Sequence, residues 1–590
     1  MWSASCGRVE GPPVAAGVDN ALPELFEDVT LDSGVAHTFR SGQEAGHYAI
    51  LELLGGGVGL LDFDGDGLLD VFVTGGGAFE GPDKKQIKGR PCRLYKNLGN
   101  WKFKDVTAEA GLDHIDFYNH GCAVADYDCD GWPDLLVTGY GRLALFHNES
   151  NGNGGRHFVE VTREVGLERE HFWSTSAGWA DLDGDGYPEL YVCQYVDWSW
   201  ANNPICGGYT SNVVRDACPP RQFGARPHAL YYNAPLGQGA GKRRFVDVSK
   251  EAGLRSLPRA DQDFGKGLGV LLMDVNGDGK PEIYVANDTT DNFLYLNKST
   301  PGKLRFQEAG MELGVARDGG GTPTGSMGVD GDDYEGSGLP SLWVTTYEGE
   351  LPSLFQNVVK DNRQFFRYRT QAAGIAAIGQ QLVGFGTGFF DVDNDGWLDL
   401  MIANGHVIHH PRAGHPEQRP VLFRNLGNGR FRDITSQGGP YFQTEHVGRG
   451  VAIGDLDNDG RADLVISHVD APVTLLRNVV GEQGPRAHWL GIELAAVGHR
   501  DFVGARVVVE TGGRRLTRFA KGGGSYMSSG DRRLLFGLGD AQRIDKITVE
   551  WPAGEPRVQV FEKDLNVDQY WRLRQGETPS RIGPVTGPKT

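Results

Sequence analysis

No run of apolar residues in this chain of 590 reaches the roughly 20 that a membrane-spanning helix needs. Basic residues are outnumbered. The 58 Lys and Arg against 77 Asp and Glu leave a net charge of −19, which argues against nucleic acid as a partner. Cysteine is sparse: the seven residues fit no repeating framework, and there is no CxxC pair. The N-terminus, Met1-Trp-Ser-Ala-Ser-Cys6-Gly7, shows no apolar signal-peptide region. It reads either as the end of a bacterial lipoprotein signal, with Cys6 as the lipidated first residue, or as a disordered start with an incidental cysteine. Residues 1–23 are expected to form a flexible tail.

Glycine is abundant, at 87 residues about twice the usual share, which suits a chain of tight turns. The turns are acidic. In Asp62-Phe-Asp64-Gly-Asp66-Gly-Leu68-Leu-Asp70, three alternate carboxylates, a glycine and a fourth carboxylate have the layout of a short Ca²⁺ loop. Ca²⁺ takes six to eight oxygens at flexible geometry. Asp62, Asp64 and Asp66 can converge on one ion, the carbonyl of Leu68 can add an oxygen, and Asp70 can close the site.

The frame recurs with Asp126, Asp128, Asp130, Trp132 and Asp134, and with Asp181, Asp183, Asp185, Tyr187 and Glu189. It recurs again with Asp274, Asn276, Asp278, Lys280 and Glu282, with Asp391, Asp393, Asp395, Trp397 and Asp399, and with Asp455, Asp457, Asp459, Arg461 and Asp463. The seventh-position residue offers a backbone carbonyl each time. A further copy, starting at Asp333, replaces two carboxylates by Ser337 and Ser341. About six Ca²⁺ sites are expected, with none in the decayed copy. Six divalent ions would offset about twelve of the negative charges. The bland alternative is a set of acidic turns without ions.

The loops begin at 62, 126, 181, 274, 333, 391 and 455, a period that signals an array or propeller. Each unit has an apolar strand before the loop and another after it. A third strand ends in Asn, as in Leu94-Tyr-Lys-Asn97, and a fourth opens with Phe, as in Phe103-Lys-Asp-Val-Thr107. Four antiparallel strands in each of seven units predict an all-β, seven-bladed β-propeller over 24–480. The first fourth-strand motif, Phe26-Glu-Asp-Val-Thr30, precedes any loop, and the last unit lacks one. The N-terminal strand is therefore expected to complete the last blade. Small residues stand five before each loop (Gly57, Gly121, Ser176, Gly269, Gly328, Gly386, Gly450), where inner strands crowd at the axis. A linker follows Asn478. Alternating strands over 487–576 predict a separate small β-sandwich-like domain, and 577–590 is read as a disordered tail.

Up-down strands put the acidic loops on one face and the long connections on the other, where binding usually resides. Two clusters lie there. The first is His171-Phe-Trp173 with Trp198-Ser-Trp200, whose aromatics either stack on a ligand or pack around a loop stapled by a Cys206–Cys218 disulfide. The second is His406, His409 and His410, a tract that either binds Zn²⁺ or Cu²⁺ or is a polar surface loop.

The repeats resemble FG-GAP/VCBS-type propeller repeats of the integrin-α kind. Gly524-Ser-Tyr-Met-Ser-Ser-Gly-Asp-Arg-Arg-Leu-Leu-Phe-Gly-Leu-Gly539 and Ile547-Thr-Val-Glu-Trp-Pro552 resemble the ASPIC/UnbV domain. The pair is similar to the cartilage acidic protein 1 family. The resemblance implies an exported, Ca²⁺-binding protein of adhesive or matrix type, outside the cell or in its envelope, and no assigned reaction. The expected function is binding of a protein or glycan ligand by a monomer, on the face opposite the loops. The alternative is an extracytoplasmic enzyme, metal-dependent or polysaccharide-cleaving, with its site at the propeller mouth.

Overall fold

The computed structural model describes residues 24–168, 172–208, 213–236, 242–255, 264–376, 381–412, 415–562 and 565–582. Cys6 and His171 lie outside these. Among them are seven antiparallel sheets, one per acidic repeat, six of four strands and one of five, whose fifth strand is Gly522–Gly523. The first is Val58–Leu61, Asp70–Val73, Arg93–Asn97 and Phe103–Asp105. In every sheet the acidic loop joins the first and second strands. Each innermost strand packs beside the next, and that of the seventh sheet packs beside that of the first.

The seventh sheet is completed from the far end of the chain, as the phase of the repeat requires. Phe26–Asp28 pairs with Thr474–Asn478, Phe26 lying opposite Asn478. The inner strands approach closely enough that a Cβ at Gly328 would run into the carbonyl oxygen of Phe385, and one at Gly450 into that of Gly56. Only glycine fits there. Where the third sheet has Ser176 instead, its hydroxyl is used: it accepts the amide of Met527 at 2.9 Å.

Met527 belongs to the second domain. This domain has two four-stranded sheets, one containing His488–Ala495 and Tyr570–Arg574 and the other Arg506–Thr511 and Lys546–Glu550. Leu490, Ile492, Val507, Val509, Phe536 and Ile547 are buried between them. The expected tail from 577 is corrected at its start, because Ser580–Arg581 pairs with Trp571 and Arg572 and extends the first sheet; the rest of it, from 583, lies outside the described residues.

The second domain is joined to the first by more than the linker. The loop after Phe519 enters the axis of the seven sheets and bonds to every innermost strand. Gly522 and Gly523 pair with Leu272 and Leu271. Met527 O accepts from Cys122 N at 3.0 Å, Ser525 O from Val329 N at 3.0 Å, and Ser525 Oγ from Thr387 N at 3.2 Å. Ser529 N donates to Val58 O at 2.8 Å, and Asp531 N to Ile453 O at 3.0 Å. A Gly- and Ser-rich sequence is suited to this: small residues pass the crowded axis, and their hydroxyls and amides satisfy strand groups that water cannot reach.

From the other side the axis is capped by residues 39–54. Ile50, Leu51 and Phe39 join Tyr118, Trp173, Phe385, Tyr526 and Met527 in one buried cluster. No helix among the described residues is long and apolar enough to cross a membrane.

Candidate metal centres

Each acidic loop is shaped by its first carboxylate, which collects backbone amides from the turn. Asp62 accepts from Gly65, Asp66 and Gly67 at 2.8–3.1 Å, and Asp391 accepts from Asp395 and Gly396 at 3.0 and 2.7 Å. The last carboxylate ties the turn to the sheet: Asp70 accepts from Phe63 N at 3.0 Å and Asn97 N at 2.7 Å. Candidate ligand oxygens of Asp62, Asp64 and Asp66 lie within 4.8 Å of one another, as do those of Asp126, Asp128 and Asp130, of Asp181, Asp183 and Glu189, and of Asp391, Asp393 and Asp399.

The third-position carboxylate tests whether a cation fits. Asp64 Oδ1, Asp128 Oδ1, Asp393 Oδ1 and Asp457 Oδ1 are all buried without a hydrogen-bond partner. These are the same atom in four loops. A buried, unmet carboxylate oxygen is costly, and the donor set is the hard oxygen set that suits Ca²⁺. The fifth loop is the internal control. There Glu335 accepts from Tyr334 Oη at 3.2 Å and Gln356 Nε2 at 2.6 Å, and Ser337 N and Oγ bond to Asp333 at 2.8 and 3.1 Å. The decayed loop closes with its own hydrogen bonds. In the fourth loop Asn276 Nδ2 donates to Glu282 Oε1 at 2.8 Å, so amide and carboxylate there already satisfy each other.

Without an ion, burial first and neighbouring carboxylates second push the leading aspartates up: Asp62 to about 6, Asp126 and Asp391 to about 8, Asp181 and Asp455 to about 7. Basic side chains enter several loops from the third strand, at the residue before its terminal Asn. Lys96 pairs with Asp64 and Asp66, and Arg424 with Asp393 and Asp395. Arg477 lies 4.0 Å from Asp457, and His147 lies 3.0 Å from Asp134. Sequence reasoning missed these residues, although the motif ending in Asn marked their position. The four loops with a basic residue here close with Asp70, Asp134, Asp399 and Asp463. The two closed by Glu189 and Glu282 have Tyr232 and Leu296 in its place.

The second domain lies on this face. Asp501 Oδ2 accepts from Asp181 N at 3.0 Å, Tyr570 Oη donates to Asp455 Oδ2 at 2.7 Å, and Arg514 Nη1 donates to Asp395 O at 2.7 Å. A cleft of about 850 Å³ remains between this domain and the first two loops, with Asp62, Asp126, Trp132 and Trp489 in its lining.

On the opposite face the tryptophans are packing, not an exposed platform, while Phe172 beside them is exposed under the Arg226 guanidinium. Trp173 and Trp198 are buried, and Trp173 sits edge-on to Tyr195 at 5.1 Å. Trp200 is half-buried against Phe79 and His47, and its Nε1 donates to Lys85 O at 2.6 Å. The long loops need apolar side chains to hold them together, and these tryptophans provide them. The Cys206–Cys218 disulfide is present, with Cα atoms 5.2 Å apart.

The three histidines have different partners. His406 is buried with Nδ1 accepting Ile408 N at 3.1 Å, so Nε2 carries the proton and faces Glu348 at 3.4 Å. His409 Nε2 lies 3.6 Å from the buried Glu52, and His410 is exposed.

The FG-GAP-like repeat family matches residues 62–137, 126–192 and 391–466, and the ASPIC and UnbV family matches 497–580. The chain carries FG-GAP-like repeats and an ASPIC/UnbV domain. It is similar to cartilage acidic protein 1 of Xenopus tropicalis, at 25% identity over 553 residues that cover 85% of this chain and 70% of the frog protein. It is also similar to that of Homo sapiens, at 25% over 523 residues covering 86% of this chain. It spans 62% of the human protein, less than two thirds of its length. A solved Agrocybe aegerita lectin that recognises non-reducing terminal N-acetylglucosamine aligns over 72% of this chain and 90% of its own at 14% identity, with a TM-score of 0.35. The matched FG-GAP-like segments each begin at the first carboxylate of an acidic loop, and the ASPIC/UnbV segment includes the loop that enters the axis.

Proposed function

We propose that this chain is an exported, Ca²⁺-binding, seven-bladed β-propeller that acts in binding or adhesion. About six loops would hold structural Ca²⁺, and a protein or glycan ligand would dock on the opposite face. The observation that carries the calcium reading is the recurrence of one unmet oxygen at Asp64, Asp128, Asp393 and Asp457, against the closed loop at Glu335. Millimolar Ca²⁺ is available outside the cytosol, which fits export.

Two observations favour the opposite face as the ligand surface. The calcium face is already occupied by the chain's own second domain. On the other face, the disulfide-stapled insertion holds Ile205 and Val214 out at 79% and 93% exposure. Apolar side chains on a constrained loop lose little entropy on docking and suit a protein partner. An enzyme with its site at the propeller mouth would need that space, and Leu51, Trp173, Phe385 and Tyr526 fill it.

The test is a screen of arrayed proteins and glycans in Ca²⁺, repeated with the double variant Ile205→Asp, Val214→Asp. Loss of a specific binder with unchanged melting temperature would support this face. Binding that survives the double variant but is lost on substitution of the second domain would move the ligand site to the other face.

A further inference from the structure

We propose that the second acidic loop is a site for a borderline transition-metal cation of the zinc(II) class, held by His147 Nε2 with Asp128 and further oxygens of the loop, unlike its all-oxygen counterparts. The position before the third-strand Asn is occupied by Lys96, His147, Tyr232, Leu296, Gln356, Arg424 and Arg477 in the seven sheets. Only the imidazole brings a nitrogen lone pair.

The ring is also set in the way a ligating histidine is set. Its Nδ1 lies 3.0 Å from Asp134 Oδ1. That carboxylate is otherwise satisfied, accepting from Asn148 N at 2.8 Å and Tyr127 N at 3.0 Å. Asp134 therefore orients the ring through Nδ1–H and leaves Nε2 as the ligating nitrogen, the carboxylate–histidine pairing that supports metal ligands elsewhere.

Nε2 faces Asp128 Oδ2 at 3.9 Å. Two donors about 2.0–2.1 Å from a tetrahedral ion stand about 3.3 Å apart, so a small side-chain movement closes the site. The Asp128 side chain is only 9% exposed, and its Oδ1 has no hydrogen-bond partner. Candidate ligand atoms of Asp128, Asp134 and His147 lie within 4.8 Å of one another, and in a separate group so do those of Asp126, Asp128 and Asp130, so further loop oxygens stand beside Asp128. Asp126 and Trp132 line the open cleft beside the second domain, which gives an ion a way in.

Imidazole with carboxylate selects zinc-like ions over Ca²⁺, which prefers oxygen alone. The inference rests on the reading that these loops take cations, and it makes this one the exception, with calcium left to the other five.

Full-length protein, stripped of ions, is dialysed to equilibrium with Zn²⁺ and about 1 mM Ca²⁺, the extracellular range, and both metals are counted. The expected result is one Zn²⁺ per chain that Ca²⁺ does not displace, weakened at least tenfold in His147→Lys, which copies the first loop. No retained Zn²⁺, or equal retention by His147→Lys, overturns the proposal. If that variant does not fold, a zinc-edge anomalous difference map of wild-type crystals decides, with a peak beside His147 Nε2 expected and its absence contradicting the site. The Ca²⁺ count in the same dialysis reads the calcium proposal separately; a zero there leaves the zinc result standing.

Discussion

Asn97 Nδ2 donates to the carbonyl oxygen of Leu456 at 2.8 Å, across 359 residues of chain. The same group donates to Leu69 O at 3.0 Å, so one amide joins the acidic loops of the first and seventh sheets. The terminal Asn of every third strand repeats the latch: Asn148 to Phe63, Asn233 to Tyr127, Asn297 to Leu182, Asn357 to Val275, Asn425 to Tyr334 and Asn478 to Val392, at 2.7–2.9 Å. The loops are thus cross-linked around the whole ring. Whatever fixes the shape of one loop is felt by the next.

Asn97→Ala leaves buried carbonyls at Leu69 and Leu456 without that partner. It should destabilise by about 1–3 kcal/mol, the cost of unmet buried polar groups. A shift of the first transition in urea unfolding reads this. A change of a few tenths would mean that the latch is not needed for closure.

Met527 is fully buried at the axis, and removing such a side chain costs about 2–5 kcal/mol. Because its backbone bonds to the second sheet, Met527→Ala should loosen the ring as well as its own domain. Hydrogen exchange should speed up in Val58–Leu61 and Asn119–Ala125. Faster exchange confined to residues 488–582 would show that the two parts are energetically separate.

The raised aspartates set a pH dependence for ion-free protein. Asp126 and Asp391 are held up at about 8, and Asp181 and Asp455 at about 7, in the folded state, chiefly by burial. Unfolded, they release their protons near 4. Between about pH 6.5 and 8 the folded chain binds more protons, so its stability falls as pH rises. Stripped protein should therefore melt higher at the lower pH. Ca²⁺-loaded protein should not, since its ligands are already ionised. Equal pH slopes with and without Ca²⁺ would contradict this.

Asp391→Ala should remove one bound Ca²⁺ per chain, and Ser337→Ala none, counted by equilibrium dialysis. Equal losses would erase the distinction between the sixth and fifth loops.

The acidic loops, the strand that follows each, the Asn and Phe motifs and the phase that pairs Phe26–Asp28 with Thr474–Asn478 were all legible, because each is a local pattern repeated at a fixed period. The contacts between repeats were not. Asn97 announces a strand end, but its partner is set by ring geometry. Ser525, Ser528 and Ser529 look like a surface turn, because small polar residues suit solvent and a crowded, hydrogen-bonded axis equally well. Trp173 and Trp198 carried the same ambiguity: aromatic residues in long loops serve packing or ligand stacking, and burial decided for packing. His147 became visible only when Asp134 and Asp128 were placed around it.

The central claim is that divalent ions hold the acidic loops and, through the latches, the ring. Thermal unfolding of full-length protein, verified ion-free, is compared with the same sample after addition of about 1 mM Ca²⁺. An ion that binds only the folded state must raise its stability. The account predicts a clear rise in melting temperature that chelator reverses. An identical melting temperature in both states would contradict it.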